Sequence, residues 1–155
     1  QVSAHDLGLD VRGDLVHPVG ALRLGDLRRR AGGEHRTLKL YGQERNHMTA
    51  SIARMNLVLH GLEDFDIQRG DTLDRPVFTE GDRLRTFDVV LANPPYSIKR
   101  WNREAWASDP WGRNFLGTPP QGRADYAFFQ HILKSMDPKT GRSKTIKRVM
   151  EDIPL

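Results

Sequence analysis

The sequence predicts an α/β fold with a mostly parallel sheet, and three observations support this. Apolar residues at 38, 40 and 41 indicate a short strand, and Phe65–Arg69 alternates like a second one. A segment with helical periodicity separates them, and strands separated by a helix favour a parallel arrangement. Residues 87–92 form a third predicted strand, because Val89, Val90 and Leu91 are apolar without alternation, as in strands covered on both faces.

The first predicted helix follows the first strand. Asn46 is suited to its N-cap, because an Asn side chain accepts hydrogen bonds from N–H groups that have no partner within the helix. Gly61 stands where the helix would end, since glycine tolerates the left-handed conformation found there. We expect this helix to bury a face formed by Met48, Ile52, Met55 and Leu59.

A second helix is predicted from Ala124 to the Asp137-Pro138 pair, because proline disfavours helical backbone at the residue before it. Its helically spaced apolar residues are Tyr126, Phe129, Leu133 and Met136. The sequence predicts that residues 37–141 form the core of the domain. Residues 1–36 stay unassigned, and residues 142–155 are predicted to be a basic tail with little core.

Composition excludes several kinds of protein. The chain has 155 residues, 24 Lys and Arg against 20 Asp and Glu, and no cysteine. Disulfides, thiolate metal sites and a cysteine nucleophile are therefore excluded, and no metal site is expected. The net charge of +4 is compatible with nucleic acid but does not indicate it. Without a long apolar segment or a leader-like start, we expect a soluble, cytoplasmic protein.

The strongest motif follows the third predicted strand, where open parallel sheets bind their ligands. It consists of Asn93, Pro94, Pro95 and Tyr96. Methylation of an exocyclic amine needs acceptors for its N–H groups, because the nitrogen lone pair is otherwise delocalised into the ring. The Asn93 side chain and the Pro94 carbonyl can supply them, held by rigid proline backbone. Tyr96 would stack on a flipped base. The alternative is a rigid turn.

Two carboxylates are candidates for binding a nucleoside cofactor. Glu44 follows the first strand and can accept hydrogen bonds from ribose hydroxyls, as acidic residues do in dinucleotide folds. A helix-start carboxylate is the alternative. Asp71 follows Phe65–Arg69 and can accept from an adenine amine, with an ordinary turn aspartate as the alternative.

A long segment, residues 97–122, combines aromatic and basic side chains. Its basic residues and tryptophans are Lys99, Arg100, Trp101, Arg103, Trp106, Trp111 and Arg113. Two interpretations are equally favoured: these side chains bind phosphates and a flipped nucleotide, or they pack on the sheet as a lid.

Taken in order, several short runs resemble the modification subunit of type I restriction-modification systems, an N6-adenine DNA methylase family. The runs are residues 41–44, 55–57, 60–61, 70–73, 91–96, 122–125 and 130–131. The resemblance implies a Rossmann-like methyltransferase fold, S-adenosylmethionine as cofactor, adenine in DNA as substrate, and specificity and restriction subunits as partners. It implies cofactor contacts by Glu44 at the ribose, by Asp71 at the adenine and by Asn93, and a target-base site at residues 93–96.

The sequence departs from this family at both ends. The family's glycine-rich cofactor loop is absent, and residues 17–20, His-Pro-Val-Gly, stand roughly in its place. The further strands expected after Gly141 are also absent. A truncated or frame-disturbed chain would explain both departures, and such a chain alone is expected to bind the cofactor weakly and to be inactive. The alternatives are a glutamine-amide methyltransferase with the same motif and a non-catalytic remnant.

Overall fold

The computed structural model of the chain describes residues 10–11, 39–92, 94 and 98–145. The strands in this part are β1 (Asp10–Val11), β2 (Leu40–Glu44), β3 (Phe65–Arg69), β4 (Thr79–Glu80), β5 (Arg83–Leu84), β6 (Val89–Ala92) and β7 (Arg142–Thr145). The helices are α1 (His47–Leu59), α2 (Arg103–Ala107) and α3 (Ala124–Ser135). None of the helices in these ranges is long and apolar enough to cross a membrane.

Two parallel strand pairs carry the fold. β2 pairs with β3 from Leu40 opposite Phe65 to Glu44 opposite Arg69. β6 pairs with β7, and β1 is antiparallel to β2 and also contacts β6. The predicted α/β class with a mostly parallel sheet is therefore confirmed, with β4 and β5 as a small separate hairpin that was not predicted.

Helix α1 has the predicted ends but not the predicted buried face. Asn46 Oδ1 accepts from the amides of Met48 and Thr49, and Gly61 has the left-handed φ of 72°. Of the predicted apolar face, Met48, Met55 and Leu59 are exposed, and Ile52 is partly buried against the core. The helix instead packs on the sheet through Ala50, Ala53 and Leu57, whose small or slender side chains let it lie close to β2 and β3.

Helix α3 ends at Ser135, close to the predicted end. Its buried face is again displaced from the predicted one, since Ala124, Ala127, Phe128 and Ile132 are buried while Tyr126 and Phe129 are half-buried. The physical reason is that Ala127 and Phe128 join a cluster with Leu73 and Trp106 from the preceding loops.

Residues after 141 differ from the predicted tail. Arg142–Thr145 is strand β7, which covers one edge of β6 with backbone hydrogen bonds. Backbone pairing does not require an apolar pattern, so the polar Arg-Ser-Lys-Thr run gave no strand signal. The predicted third strand, residues 87–92, is shorter than expected, because Phe87 forms only an isolated bridge to Met136.

Candidate functional site

A cavity of about 460 Å³ lies where β2 and β3 end. It is lined by side chains from the ends of both strands and from the long loop, namely Glu44, Arg45, Asn46, Asp71, Thr72, Leu73, Ile98, Arg100, Trp101 and Phe128. The two predicted cofactor carboxylates, Glu44 and Asp71, are thus brought to one pocket. Its volume falls within the range of sites for small molecules.

Glu44 is the last residue of β2 rather than the first residue after it. It is only 7% exposed, and its Oε1 accepts a hydrogen bond of 2.6 Å from the Asn46 amide. Its Oε2 is buried and has no hydrogen-bond partner among the described residues. Burial raises the pKa of this carboxyl above its ordinary value, and the hydrogen bonds from the Asn46 and Arg45 amides only partly oppose that shift.

Asp71 lies two residues beyond β3 and forms a turn. Its Oδ1 accepts from the amides of Leu73 at 3.0 Å and Asp74 at 3.4 Å. Its Oδ2 forms an ion pair of 3.2 Å with the Arg45 guanidinium. Oδ1 of Asp71 therefore has the role of an ordinary turn aspartate, as the alternative interpretation held. The side chain also lines the cavity, and it is 35% exposed.

The strand register brings these two carboxylates together. Glu44 is opposite Arg69, and the Gly70 amide donates to the Glu44 carbonyl at 3.0 Å. Parallel strands end at the same edge of a sheet, so side chains that follow neighbouring strands meet there. Sequence reasoning could predict this meeting because both acids stand at strand ends.

The long loop supplies the opposite wall of the cavity. The Trp101 indole N–H donates to the Gln121 carbonyl at 2.8 Å, and its ring meets Trp106 edge-on with centroids 6.0 Å apart. Lys99 and Arg100 are exposed, and Arg103 is half-buried with its Nε donating to the Pro119 carbonyl at 2.7 Å. Packing as a lid therefore accounts for Trp101 and Trp106, whereas Lys99 and Arg100 are exposed and Arg100 also lines the cavity.

Arg113 is part of the core and does not face the solvent. Its side chain is 1% exposed, and it donates to the carbonyls of Thr72 at 2.7 Å and Leu73 at 3.0 Å. It also forms a 2.6 Å ion pair with Asp109, whose side chain is equally buried. Burial lowers the pKa of Arg113 from its ordinary value, and the hydrogen bonds that Asp109 accepts from the guanidinium oppose this shift.

The predicted catalytic motif falls almost wholly outside the described residues. Asn93, Pro95 and Tyr96 lie outside them, and Pro94 is buried just after the end of β6. Ile98, the next described residue, lines the cavity. Within the described ranges, no group of three or more His, Cys, Asp or Glu side chains is placed to hold a metal ion.

Comparison with known proteins gives a consistent family. A family model described as N-6 DNA Methylase matches residues 23–147. The chain is 36% identical over 118 residues to the type I restriction enzyme MjaVII methylase subunit of Methanocaldococcus jannaschii, covering 71% of this chain and 19% of that protein. It is 34% identical over 107 residues to the HindI methylase subunit of Haemophilus influenzae, covering 68% of this chain and 23% of that protein.

A solved structure agrees with these relatives. The type I restriction-modification system methyltransferase subunit from Streptococcus thermophilus superposes with a TM-score of 0.68 at 32% identity. The match covers 79% of this chain and 26% of that one. The chain thus spans about a fifth of the length of the curated relatives and about a quarter of the solved subunit.

Proposed function

The chain belongs to the N-6 DNA methylase family, and on this premise we propose that it takes part in methyl transfer from S-adenosylmethionine to adenine N6 in DNA. The observation that carries the proposal is the meeting of Glu44 and Asp71 in one cavity at the ends of adjacent parallel strands. The family match favours DNA adenine over a glutamine amide, which the same tetrapeptide could otherwise serve.

The cavity suits the nucleoside half of the cofactor. Glu44 Oε2 is a buried acceptor with no hydrogen-bond partner in the described part of the chain, and a ribose hydroxyl would satisfy it. Asp71 is the nearby acceptor proposed for the adenine amine, with the Phe128 and Trp101 rings as apolar walls. When bound, S-adenosylmethionine would supply an activated methyl group, so the protein's task is to bind and align.

Residues 93–96 are proposed to hold the target adenine. The Asn93 side chain and the Pro94 carbonyl would accept the two N–H groups of the amine, which keeps the lone pair on nitrogen during transfer. Tyr96 would stack on the flipped base. Asn93 would also border the cofactor.

Partners are proposed from the relatives. These are methylase subunits of type I restriction enzymes, and a DNA substrate with specificity and restriction subunits is the assembly we propose for this chain. Recognition of a DNA sequence would then lie in the specificity subunit.

One experiment with two variants tests the nucleoside site and the target site separately. Binding of S-adenosylmethionine is followed by amide shifts in NMR spectra of Glu44→Gln, Asn93→Ala and the control Glu63→Gln, whose exposed carboxylate lies at the opposite ends of the strands. We expect Glu44→Gln to weaken binding about 10- to 100-fold, the value of a charge-assisted hydrogen bond. Glu63→Gln should bind like the wild type, and Asn93→Ala should leave cofactor binding largely intact.

Methyl transfer to DNA is then measured in a version of the chain extended to the full length of its relatives, with a specificity subunit present. Asn93→Ala should lose about 10²-fold in rate with cofactor binding largely intact, because one preorganised transition-state contact is removed. Equal cofactor binding by Glu44→Gln and wild type would contradict the site. Cofactor binding without any wild-type methyl transfer would instead identify the chain as a non-catalytic relative.

A further inference from the structure

Gln43 is a polar residue that is fully buried in strand β2. Its Nε2 donates to the Arg75 carbonyl at 2.8 Å, and its Oε1 accepts from the Val77 amide at 3.1 Å. Both partners belong to the loop after β3, which also carries Asp71. The side-chain amide therefore holds this loop in the way that a neighbouring peptide group would.

Gly70 packs directly against the side-chain amide of Gln43. A Cβ at residue 70 would lie 2.6 Å from Gln43 Nε2 and 3.5 Å from Val77 Cγ1. Real Cβ atoms do not approach other heavy atoms so closely, and Gln43 has little freedom to withdraw because both ends of its amide are bonded. Its lack of a side chain, rather than an unusual φ, explains why glycine suits position 70.

Gln43 and Gly70, which contact each other, are each next in sequence to one of the two candidate carboxylates. Glu44 follows Gln43 in the chain, and Asp71 follows Gly70. Gln43 does not line the cavity, so any effect on a ligand must act through the loop.

We propose that Gln43, packed over Gly70, is a positioning residue that sets the place of Asp71 relative to Glu44 and thereby gives the pocket its preference for adenine. This proposal rests on the proposed function, because it assumes that Asp71 accepts the adenine amine. Gln43 in β2 hydrogen-bonds to residues 75 and 77 of this loop, and Arg113 in the long loop donates to the carbonyls of Thr72 and Leu73.

The test compares adenosine with inosine, which replaces the adenine amine by an oxygen. Wild type should prefer adenosine about 10-fold or more, because a carboxylate placed to accept from the adenine amine would face an oxygen acceptor in inosine. Gly70→Ala should push Gln43 aside and reduce that preference to about 2-fold, with inosine binding nearly unchanged. Gly122→Ala is the matched control, since a Cβ there meets nothing within 4 Å.

Coupling and amide exchange complete the test. In a Gln43→Ala background the added methyl of Gly70→Ala has room, so its effect should largely vanish. Hydrogen exchange of the Val77 amide, measured without ligand, should be slow in wild type and Gly122→Ala and at least about 10-fold faster in Gly70→Ala and Gln43→Ala.

The outcomes separate this proposal from the proposed function. Equal losses for adenosine and inosine, or an unchanged preference in Gly70→Ala, would show that Gln43 has only a structural role. If wild type binds neither nucleoside, the proposed nucleoside site is wrong, and unchanged Val77 exchange in Gly70→Ala would then overturn the positioning of the loop as well.

Discussion

At the scale of single residues, Glu44 combines an unfavourable buried charge with the cofactor-binding role proposed for it. Burial of this carboxyl group is unfavourable to its charged form and raises its pKa, and its Oε2 finds no hydrogen-bond partner among the residues that the structure describes. Such groups persist where a ligand satisfies them, and functional sites often contain groups that reduce stability. Glu44 should therefore behave differently from an ordinary surface glutamate in both respects.

The first prediction concerns Glu44→Gln. The raised pKa means that the folded state binds more protons than the unfolded state, so stability is highest below the unfolded pKa and falls as pH rises through the folded one. At neutral pH, Glu44→Gln should therefore raise the free energy of unfolding, by on the order of 1 kcal/mol. Urea unfolding at pH 7 measures the free energy of unfolding of Glu44→Gln, with Glu63→Gln as the control. A lower free energy of unfolding in Glu44→Gln would contradict the prediction.

The pH dependence of binding has the opposite sign. Protonation removes the acceptor charge of Glu44, so S-adenosylmethionine binding should weaken as pH falls through the raised pKa, above the range where an ordinary glutamate titrates. Glu44→Gln should show no such dependence in calorimetric titrations across the same pH range.

Sequence reasoning reached Glu44 and Asp71 but not Gln43 or Arg113, and the difference is physical. The two acids stand at strand ends, where parallel topology itself brings them together. Gln43 and Arg113 act through backbone groups 32 to 41 residues away along the chain. No local periodicity encodes such contacts. Arg113 even stands in a basic, aromatic segment whose composition is typical of a nucleic-acid surface.

At the scale of elements, helix ends were more predictable than helix faces. Caps depend on residues next to each other in sequence, so Asn46 and Gly61 were identified correctly. The buried face depends on how closely the helix approaches the sheet, and Ala50 and Ala53 allow a close approach that larger residues would prevent. Hydrophobicity alone favoured the methionines, which are in fact exposed.

The second prediction tests that face of α1. Leu57→Ala should reduce the free energy of unfolding by about 2 to 5 kcal/mol, because it opens a cavity at a residue that is 1% exposed. Met55→Ala should stay within about 0.5 kcal/mol, as surface changes usually do. Urea unfolding of the two variants measures both values. A larger loss in Met55→Ala than in Leu57→Ala would show that the buried face is the one predicted from hydrophobicity.

At the scale of the whole molecule, Arg113 joins three segments that are distant in sequence. It bonds to the loop after β3 and pairs with Asp109, and its Nη1 lies 3.5 Å from Nδ1 of His131 in α3. Its guanidinium also lies over the rings of Trp106 at 4.5 Å and Trp111 at 4.9 Å. The long loop, the cavity wall and the last helix are thus tied together at one buried charge.

The third prediction follows from this arrangement. Arg113→Met should cost about 3 to 5 kcal/mol of unfolding free energy, because it leaves Asp109 buried without its partner and two loop carbonyls without donors. Arg83→Met, at a side chain that is 88% exposed, should change stability by less than about 0.5 kcal/mol. Arg113 connects these segments within the core, so its loss should expose the long loop before the sheet unfolds. Hydrogen exchange in Arg113→Met should therefore rise first at residues 98–122, whereas uniform exchange through the sheet would show that the loop does not depend on this charge.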